Sequence, residues 1–496
     1  MFCDIRIYKT YVNKGLPISE GVFGLKGCRA STALFELSDS GTVAPMTEST
    51  STPVPAHELK RQLSFLDAAA IFVGIIIGSG IFVAPAAVAA ATSNPWIMAA
   101  LWLAGATVAL CGAFCYAECG ARLPHTGGFY VFYRRVYGDK VAFAAGWAAL
   151  FITYPASIAA IALVFASYLD KILPGVAATP LTTTLTAAFA VLSAGFFNIV
   201  GVRVGANVQR LLTGFKVLAL LTLAVAVIVA PHSTGVQSAP MEALPLGFAG
   251  LVGAVMMLLW TYDGWSDVTM IAGELKHPSR DLGRAVGLGI ATLAVTYIIV
   301  QLAVTSLLGA SGAAASKQVL ADAVSVGLGT GAGRGVAFLV VVSTFGSLNG
   351  IVLAASRLAF AMAKHGDFFR WFGQVEPRFE TPARSTVILL CASLAYVFVS
   401  DFRDLMGFFS FNVWLFYAAT AVALFVLRYR KEGEPLEWRA PLGFVPPVVI
   451  LLTATFMTVS LLTEAPGNSL KGLGMLLVLV PLSFVWHRLR KSTLAA

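Results

Sequence analysis

The sequence predicts an all-α integral membrane protein with about twelve transmembrane helices, two of them broken near the middle. Its 496 residues are 58% hydrophobic and only 12% charged, whereas soluble domains carry about 25% charged residues. Apolar stretches of bilayer-spanning length recur along the chain, and two of them contain glycine or polar interruptions. A soluble enzyme or a nucleic-acid-binding protein does not have this composition.

The N-terminal 62 residues predict a disordered cytoplasmic tail, because they mix Ser, Thr, Pro and Gly with scattered charge. A sharper hypothesis is that translation starts at Met46, since the sequence after it resembles an ordinary short polar leader and residues 1–45 resemble untranslated upstream sequence. Mass spectrometry of the native N-terminus separates the two starts, and peptides from residues 1–45 would exclude the second.

The apolar stretches that follow are long enough to span a bilayer. They lie at residues 65–91, 96–121, 141–168, 181–200, 210–229, 248–273, 286–310, 336–362, 386–400, 405–427, 442–462 and 472–486. The ninth is the shortest, and a further short cytoplasmic tail is expected at residues 489–496.

Positive charge follows the even-numbered spans. These loops carry Arg122, Arg134, Arg135, Lys140, Arg203, Lys276, Arg280, Arg284, Lys364, Arg370, Arg378, Arg384, Arg428, Arg430, Lys431 and Arg439. The opposite loops carry fewer basic residues, so the positive-inside rule predicts that both termini are cytoplasmic in the plasma (inner) membrane. The net charge of +9 follows from this rule, and no nucleic-acid partner is expected.

The first span reads IFVGIIIGSGIFVAP over residues 71–85, with Gly78, Ser79 and Gly80 at its centre. These residues weaken a helix where no water can satisfy the freed backbone groups. In secondary transporters, such a break holds an anionic group at backbone N–H groups and a cation at the freed carbonyls. A carboxylate is the expected guest.

The sixth span is interrupted by the sequence WTYDGWSD. Asp263, Gly264, Ser266 and Asp267 lie inside an otherwise apolar stretch, next to Trp260. An unpaired carbonyl or Asp263 is suited to receive an ammonium group, and Trp260 is suited to cover the ligand. The alternative is that the aromatic side chains only pack in the core or face lipid.

The two breaks fall in the first spans of two successive sets of five. This placement predicts an inverted repeat with a site between its halves, residues 63–230 and 247–428, followed by two further spans at residues 441–488. A glycine pair that serves helix dimerisation is the rival explanation, but it does not predict matched breaks.

Lys216 lies within the apolar sequence LLTGFKVLALLTL and has no acid within one turn. A charge there is costly, so we expect its ammonium to face the bundle interior, either as a fixed positive charge or as a group that titrates during transport. A lysine that snorkels to a span end is the alternative.

No metal site or cofactor is expected. Cys111, Cys115 and Cys119 recur on one face of the second span, but Glu118 is their only acidic neighbour and no histidine accompanies them, so they are interpreted as packing residues. The chain also lacks an arrangement of nucleophile, base and metal ligands, which argues against an enzyme.

Several long motifs resemble one known family. They read GIIIGSGIF, CYAECGARLPHTGGFYVFYRRVYG, NIVGVRVGANVQRLLTGFKVLAL, WTYDGW with GELKHP, and FGSLNGIVLAASRLAFAMAKHGDF. In this order they are similar to the amino acid–polyamine–organocation (APC) superfamily, and within it to the L-type amino acid transporter (LAT) branch, over residues 63–486.

The resemblance implies a LeuT-like fold of two five-helix inverted repeats plus two extra helices, and alternating-access transport of L-amino acids. It also assigns site residues by position. The substrate carboxylate is expected at Ile77, Gly78, Ser79, Gly80 and Ile81. The amino group, gate and side-chain residues are expected to be Trp260, Thr261, Tyr262, Asp263 and Gly264. Lys216 matches a lysine that bridges spans one and eight, where it is expected to land near Ser343, Ser347 and Asn349.

Two departures from the family matter. The loop at residues 170–179 lacks the cysteine that links animal members to a single-span glycoprotein, so no disulfide-linked heavy subunit is expected and the chain resembles prokaryotic members. Asp263 stands where many carriers of neutral amino acids have a small residue, which leaves the side-chain preference open.

The sequence therefore predicts a sodium-independent exchanger of neutral L-amino acids. One alternative also accepts arginine, lysine or ornithine through Asp263, and another is a proton-coupled permease. An amino acid sensor that does not transport is the alternative from a different class.

Overall fold

The computed structural model describes residues 59–229, 248–316, 318–399, 402–464 and 466–495. Most of the predicted N-terminal tail, with the alternative start at Met46, lies outside these residues. Regular structure within them is helical, and the β-pairing there consists of isolated bridges.

The α-helices are numbered here in chain order. They are α1 (Phe65–Ile76), α2 (Ala84–Ala91), α3 (Pro95–Arg122), α4 (Phe129–Tyr137), α5 (Asp139–Ala148), α6 (Tyr154–Ile172), α7 (Pro180–Val200), α8 (Val202–Val229), α9 (Phe248–Thr261), α10 (Pro278–Ala315), α11 (Val319–Leu328), α12 (Gly333–His365), α13 (Ala383–Val399), α14 (Phe402–Tyr429), α15 (Val445–Glu464) and α16 (Pro466–Ala495). The last of these continues through most of the expected C-terminal tail.

In the part of the chain that the structure describes, 8 helices are long and apolar enough to cross a membrane. They comprise all or part of α3, α5 with α6, α7, α10, α12, α14, α15 and α16. Shorter apolar helices form α1, α9, α11 and α13. Large apolar side chains on the outer face of α7, such as Leu181 at 65% and Phe189 at 65% exposure, suit a lipid environment, since apolar surface in water costs about 25 cal/mol per Å².

The predicted span at residues 65–91 is not one α-helix. Ser64 and Asp67 form a capping box that begins α1, and the α-helix ends at Ile76. A 3₁₀ turn at Gly80–Phe82 follows, and α2 begins at Ala84. The glycine-rich sequence therefore separates two helical segments.

The predicted span at residues 248–273 is divided in a similar way. Helix α9 ends at Thr261, Gly264 takes a φ of 112° that favours glycine, and a 3₁₀ helix spans Asp267–Glu274. The backbone at the end of this 3₁₀ helix pairs with Leu63, two residues before α1. The N–H of Leu63 donates to the Glu274 carbonyl at 2.9 Å, and the N–H of Lys276 donates to the Leu63 carbonyl at 3.0 Å.

Helices α5 and α6 are joined by a π-helical turn at Ala149–Thr153. Such turns carry an i→i+5 hydrogen-bond pattern and are often found at functional sites. Here the turn lies on the wall of the cavity described next.

Candidate substrate cavity

The end of α1 is held by Lys216 of α8. The buried Nζ donates to the carbonyls of Gly74 and Ile77, both at 2.8 Å, and to Ser347 Oγ at 3.2 Å. An ammonium has three donors, and each of them has an acceptor here. No carboxylate forms an ion pair with this lysine among the described residues. The ammonium therefore neutralises the negative end of α1 rather than an acidic side chain.

Two serines of α12 share this contact. Ser343 Oγ donates to the Ile77 carbonyl at 3.0 Å, and Ser347 Oγ lies 2.9 Å from the same oxygen. The lysine and both serines thus meet at the carbonyls freed by the end of α1. A Cβ on Gly346 would lie 2.7 Å from Lys216 Cε, so this glycine leaves the space in which the lysine stem lies.

Asn349 does not join this contact. Its amide donates to Gln209 Oε1 and the Gly205 carbonyl, and it accepts a hydrogen bond from Asn198. Asn349 is two positions from Ser347, which turns it by about 200° around the helix axis. Its contacts are therefore with α7 and α8 rather than with α1.

A cavity lies against both helix ends. Gly78, Ser79 and Gly80 line one side, and Trp260, Thr261, Asp263 and Gly264 line the side formed by the end of α9. All seven of these residues were selected from the sequence as candidate site residues, and the structure brings them together at one cavity. Ile77 and Ile81 are buried and are not among the lining residues. Tyr262 points elsewhere, into an aromatic cluster with Trp102 and Tyr297.

The first break presents free backbone donors. No hydrogen bond among the described residues uses the N–H of Ser79, Gly80 or Ile81 as its donor. These N–H groups precede α2 in the chain, at the positive end of the 3₁₀ turn. Backbone donors at the start of a helical segment form a suitable site for a carboxylate.

The second break presents acceptors. No hydrogen bond among the described residues ends on the carbonyl of Thr261, Tyr262 or Asp263. The positive φ of Gly264 turns the chain out of the α-helix at this point. Carbonyls that lose their helical donors are suitable acceptors for an ammonium group.

Gly80 brings the two breaks together. A Cβ at Gly80 would lie 3.0 Å from Thr261 Cα and 2.9 Å from Thr261 Oγ1. This glycine therefore permits close packing between the first break and the end of α9.

Residues that the sequence analysis did not select complete the cavity. They are Thr153, Tyr154 and Ser157 near the π turn, and Phe416 and Tyr417 of α14; Asp267, which the sequence places in the second interruption, also lines the cavity. The Tyr417 hydroxyl donates to Asp263 Oδ1, and the Tyr154 hydroxyl donates to Asp267 Oδ1 at 2.9 Å. The polar run Thr-Tyr-Pro-Ala-Ser inside an apolar span was the available signal for the π-turn side of the cavity.

Comparisons with known proteins show the family of this chain. The family described as amino acid permease matches residues 63–484. The human b(0,+)-type amino acid transporter 1 is 30% identical over 416 residues, covering 82% of this chain and 84% of the relative. The serine/threonine exchanger SteT of Bacillus subtilis (strain 168) is 29% identical over 402 residues, covering 80% of this chain and 90% of the relative.

A third relative is the human large neutral amino acids transporter small subunit 2, which is 29% identical over 437 residues, covering 86% of this chain and 80% of the relative. The resemblance drawn from the sequence motifs is confirmed, as is the expectation of a transporter rather than an enzyme. The chain belongs to the amino acid permease family and is an amino acid transporter of the L-type branch of the APC superfamily.

Proposed function

We propose that this protein is a sodium-independent exchanger of neutral L-amino acids that works by alternating access. The observation that carries the proposal is Lys216, whose ammonium lies between the end of α1 and α12 and uses all three donors there. In this position it supplies the positive charge that a bound sodium ion would otherwise supply to freed carbonyls.

The substrate backbone is proposed to bind between the two breaks. Its carboxylate accepts from the N–H groups of Ser79, Gly80 and Ile81. Its α-ammonium donates to the carbonyls that follow Trp260. Trp260 lines the same cavity and is proposed to cover the bound substrate. This arrangement recognises the group common to L-amino acids and leaves the rest of the cavity for the side chain.

The wider architecture is also a proposal. Residues 63–230 and 247–428 form two inverted five-helix repeats, and residues 441–488 form two further spans. The basic loops support a topology in which both termini lie on the cytoplasmic side of the plasma (inner) membrane. The loop at residues 170–179 contains no cysteine, which supports a carrier without a disulfide-linked heavy subunit.

Exchange is supported by the name of the Bacillus subtilis relative, which is a serine/threonine exchanger. The names of the mammalian relatives support an amino acid as the substrate. A second candidate accepts cationic amino acids as well, because Asp263 lines the cavity beside the proposed ammonium site.

The test is uptake of labelled L-amino acids into proteoliposomes, with and without internal amino acid, in sodium and in choline buffer. Uptake of neutral amino acids that requires internal amino acid and ignores sodium is the expected result. Uptake that requires sodium contradicts the role given to Lys216. Uptake driven by a pH gradient into empty vesicles identifies a proton-coupled permease, and binding without flux identifies a sensor. The Lys216→Ala protein and the Lys171→Ala protein, which changes an exposed lysine, are the matched pair for this assay.

A further inference from the structure

The segment that follows α12 carries a buried carboxylate with one oxygen that receives no hydrogen bond. The side chain of Asp367 is 1% exposed. Its Oδ2 accepts a hydrogen bond from the Tyr130 hydroxyl at 2.7 Å, and Arg134 Nη1 lies 3.8 Å from the same oxygen. No hydrogen bond reaches Oδ1 among the described residues. Burial raises the pKa of this carboxyl above its ordinary value, although Tyr130, Arg134 and His487 act in the opposite direction.

The group that faces this free oxygen is an imidazole. Nε2 of His487 in α16 lies 3.3 Å from Asp367 Oδ1, and Nδ1 of the same ring lies 2.7 Å from the Ser483 carbonyl. A carbonyl only accepts hydrogen bonds, so Nδ1 carries the ring proton in the neutral form. Nε2 then turns a lone pair toward the carboxylate oxygen, which is repulsive. One further proton, forming an N–H bond at Nε2 or an O–H bond at Oδ1, converts the contact into a hydrogen bond.

Other charged groups surround the pair, but none of those described donates to Oδ1. Arg134 lies 3.2 Å from Asp139 Oδ1 through its Nε, and its Nη1 donates to the His365 carbonyl at 3.4 Å. The ammonium of Lys140 lies 3.7 Å from the centre of the Phe484 ring. The titratable and charged groups around the pair are Tyr130 and Arg134 of α4, Asp139 and Lys140 of α5, His365 of α12, His125 of the loop before α4, and Arg488 of α16.

The pair lies within a contact that joins α16 to the wall of the substrate cavity. Trp486 Nε1 donates to the Gly366 carbonyl, and Trp147 Nε1 of α5 donates to the Asp367 carbonyl, both at 3.0 Å. The two indole rings pack edge to face with their centres 5.8 Å apart. Trp147 lies two residues before the π turn, which lines the cavity. A change at Asp367 therefore reaches the cavity through one short segment of α5.

We propose that Asp367 and His487 form a proton-binding site that regulates substrate affinity from the side of the bundle expected to face the cytoplasm. The shared proton holds α16 against the segment after α12. Its loss leaves the buried carboxylate beside a lone pair, so the contact loosens and both tryptophans lose their fixed positions. The π turn is then less well held, and the substrate binds more weakly. The proton is a regulator and is not carried with the substrate.

The first experiment measures thermal unfolding of the purified full chain between about pH 5.5 and about pH 8.5, the range in which histidine side chains ordinarily change charge. The proteins are the parent, His487→Gln, His487→Arg and the control His277→Gln, which changes an exposed histidine. Glutamine does not take up the proton, and arginine keeps a positive charge throughout this range.

The parent is expected to unfold at a temperature about 2 °C or more above that of His487→Gln at the acid end, and the difference should vanish at the alkaline end. At the alkaline end the parent and this variant both lack the proton. His487→Arg should keep the higher unfolding temperature over the whole range, and His277→Gln should follow the parent.

The second experiment measures exchange of a labelled neutral amino acid in proteoliposomes that have the same pH on both sides. The KM of the parent should rise several-fold from the acid to the alkaline end, with a smaller change in kcat. His487→Gln and Asp367→Asn should flatten this profile, and His487→Arg should keep the low KM at every pH. Titration of the acids that line the cavity would instead persist in all three variants.

The inference is overturned by a difference in unfolding temperature between the parent and His487→Gln that is the same at every pH. A KM that follows pH equally in the parent, His487→Gln and Asp367→Asn would also overturn it. Uptake driven by a pH gradient in the parent but not in His487→Gln would make the proton a transported co-substrate and contradict the regulatory role. Absence of exchange for every amino acid would contradict the proposed function, while the unfolding measurement would still decide whether the pair binds a proton.

Discussion

Gly80 and Thr261 are packed so closely that a Cβ on Gly80 would lie 3.0 Å from Thr261 Cα. This contact joins the break after α1 to the end of α9. It keeps the free N–H groups of one break near the free carbonyls of the other. A small change at either residue therefore alters the distance between the two parts of the proposed site.

Gly80→Val is expected to abolish exchange, because the added side chain forces the two breaks apart. Overpacking of this kind costs about 1–3 kcal/mol. The measurement is exchange in proteoliposomes together with thermal unfolding of the purified protein. Gly214→Val is the control, since a Cβ at Gly214 meets nothing within 4 Å. Substrate affinity equal to that of the parent in a folded Gly80→Val protein would rule out the site assignment.

Lys216→Ala is expected to reduce exchange at least about tenfold in a protein that still inserts into membranes. The change removes three donors and leaves the carbonyls of Gly74 and Ile77 without the ammonium. Each unsatisfied buried polar group costs about 1–3 kcal/mol. Exchange rates are compared with those of Lys171→Ala. Full activity would show that the contact between α1 and α12 does not depend on the lysine.

Gly346→Ala is expected to reproduce part of the Lys216→Ala defect without changing the lysine. The added methyl group would lie 2.7 Å from Lys216 Cε and 3.0 Å from Nζ, so the ammonium must shift. We expect a reduction in exchange of several-fold, since a core that receives one extra methyl group is destabilised by about 1–3 kcal/mol. Gly335→Ala on the same helix is the control because its Cβ meets nothing within 4 Å. Equal exchange rates in the two variants would contradict this explanation.

Glu274→Gln is expected to lower the thermal unfolding temperature strongly. Glu274 and Arg357 form a buried pair, with Nε to Oε1 at 2.7 Å and Nη2 to Oε2 at 2.9 Å, and both side chains are at most 1% exposed. Removal of one partner from such a pair costs about 3–5 kcal/mol. The double variant Glu274→Leu with Arg357→Met should be more stable than Glu274→Gln, since no buried charge is left unpaired. Thermal unfolding that Glu274→Gln leaves unchanged would show that the arginine is compensated elsewhere.

The sequence was most informative where a local feature was unusual for a membrane span. Gly78, Ser79 and Gly80 interrupt an apolar run, and Lys216 is a charge in apolar surroundings, so each predicted a role without knowledge of the fold. The structure places the three break residues on the cavity and Lys216 at the freed carbonyls.

The rest of the cavity depends on tertiary packing. Thr153 in the π turn and Tyr417 in α14 have no unusual sequence surroundings. They line the cavity only because the π turn and α14 lie next to the two breaks. The face of α12 on which Asn349 lies decides which helices it contacts, and a family motif does not specify this face for a single residue. Tyr262 lies next to Asp263 in the chain, but it packs into the cluster around Trp102.

The paired backbone of Leu63 with Glu274 and Lys276 has a mechanical consequence. These two hydrogen bonds tie the start of α1 to the segment that follows the second break. An outward swing of α1 pivoting at Ile77 would therefore pull on the segment beyond Gly264. In the proposed alternating-access cycle we therefore expect these two segments to move together.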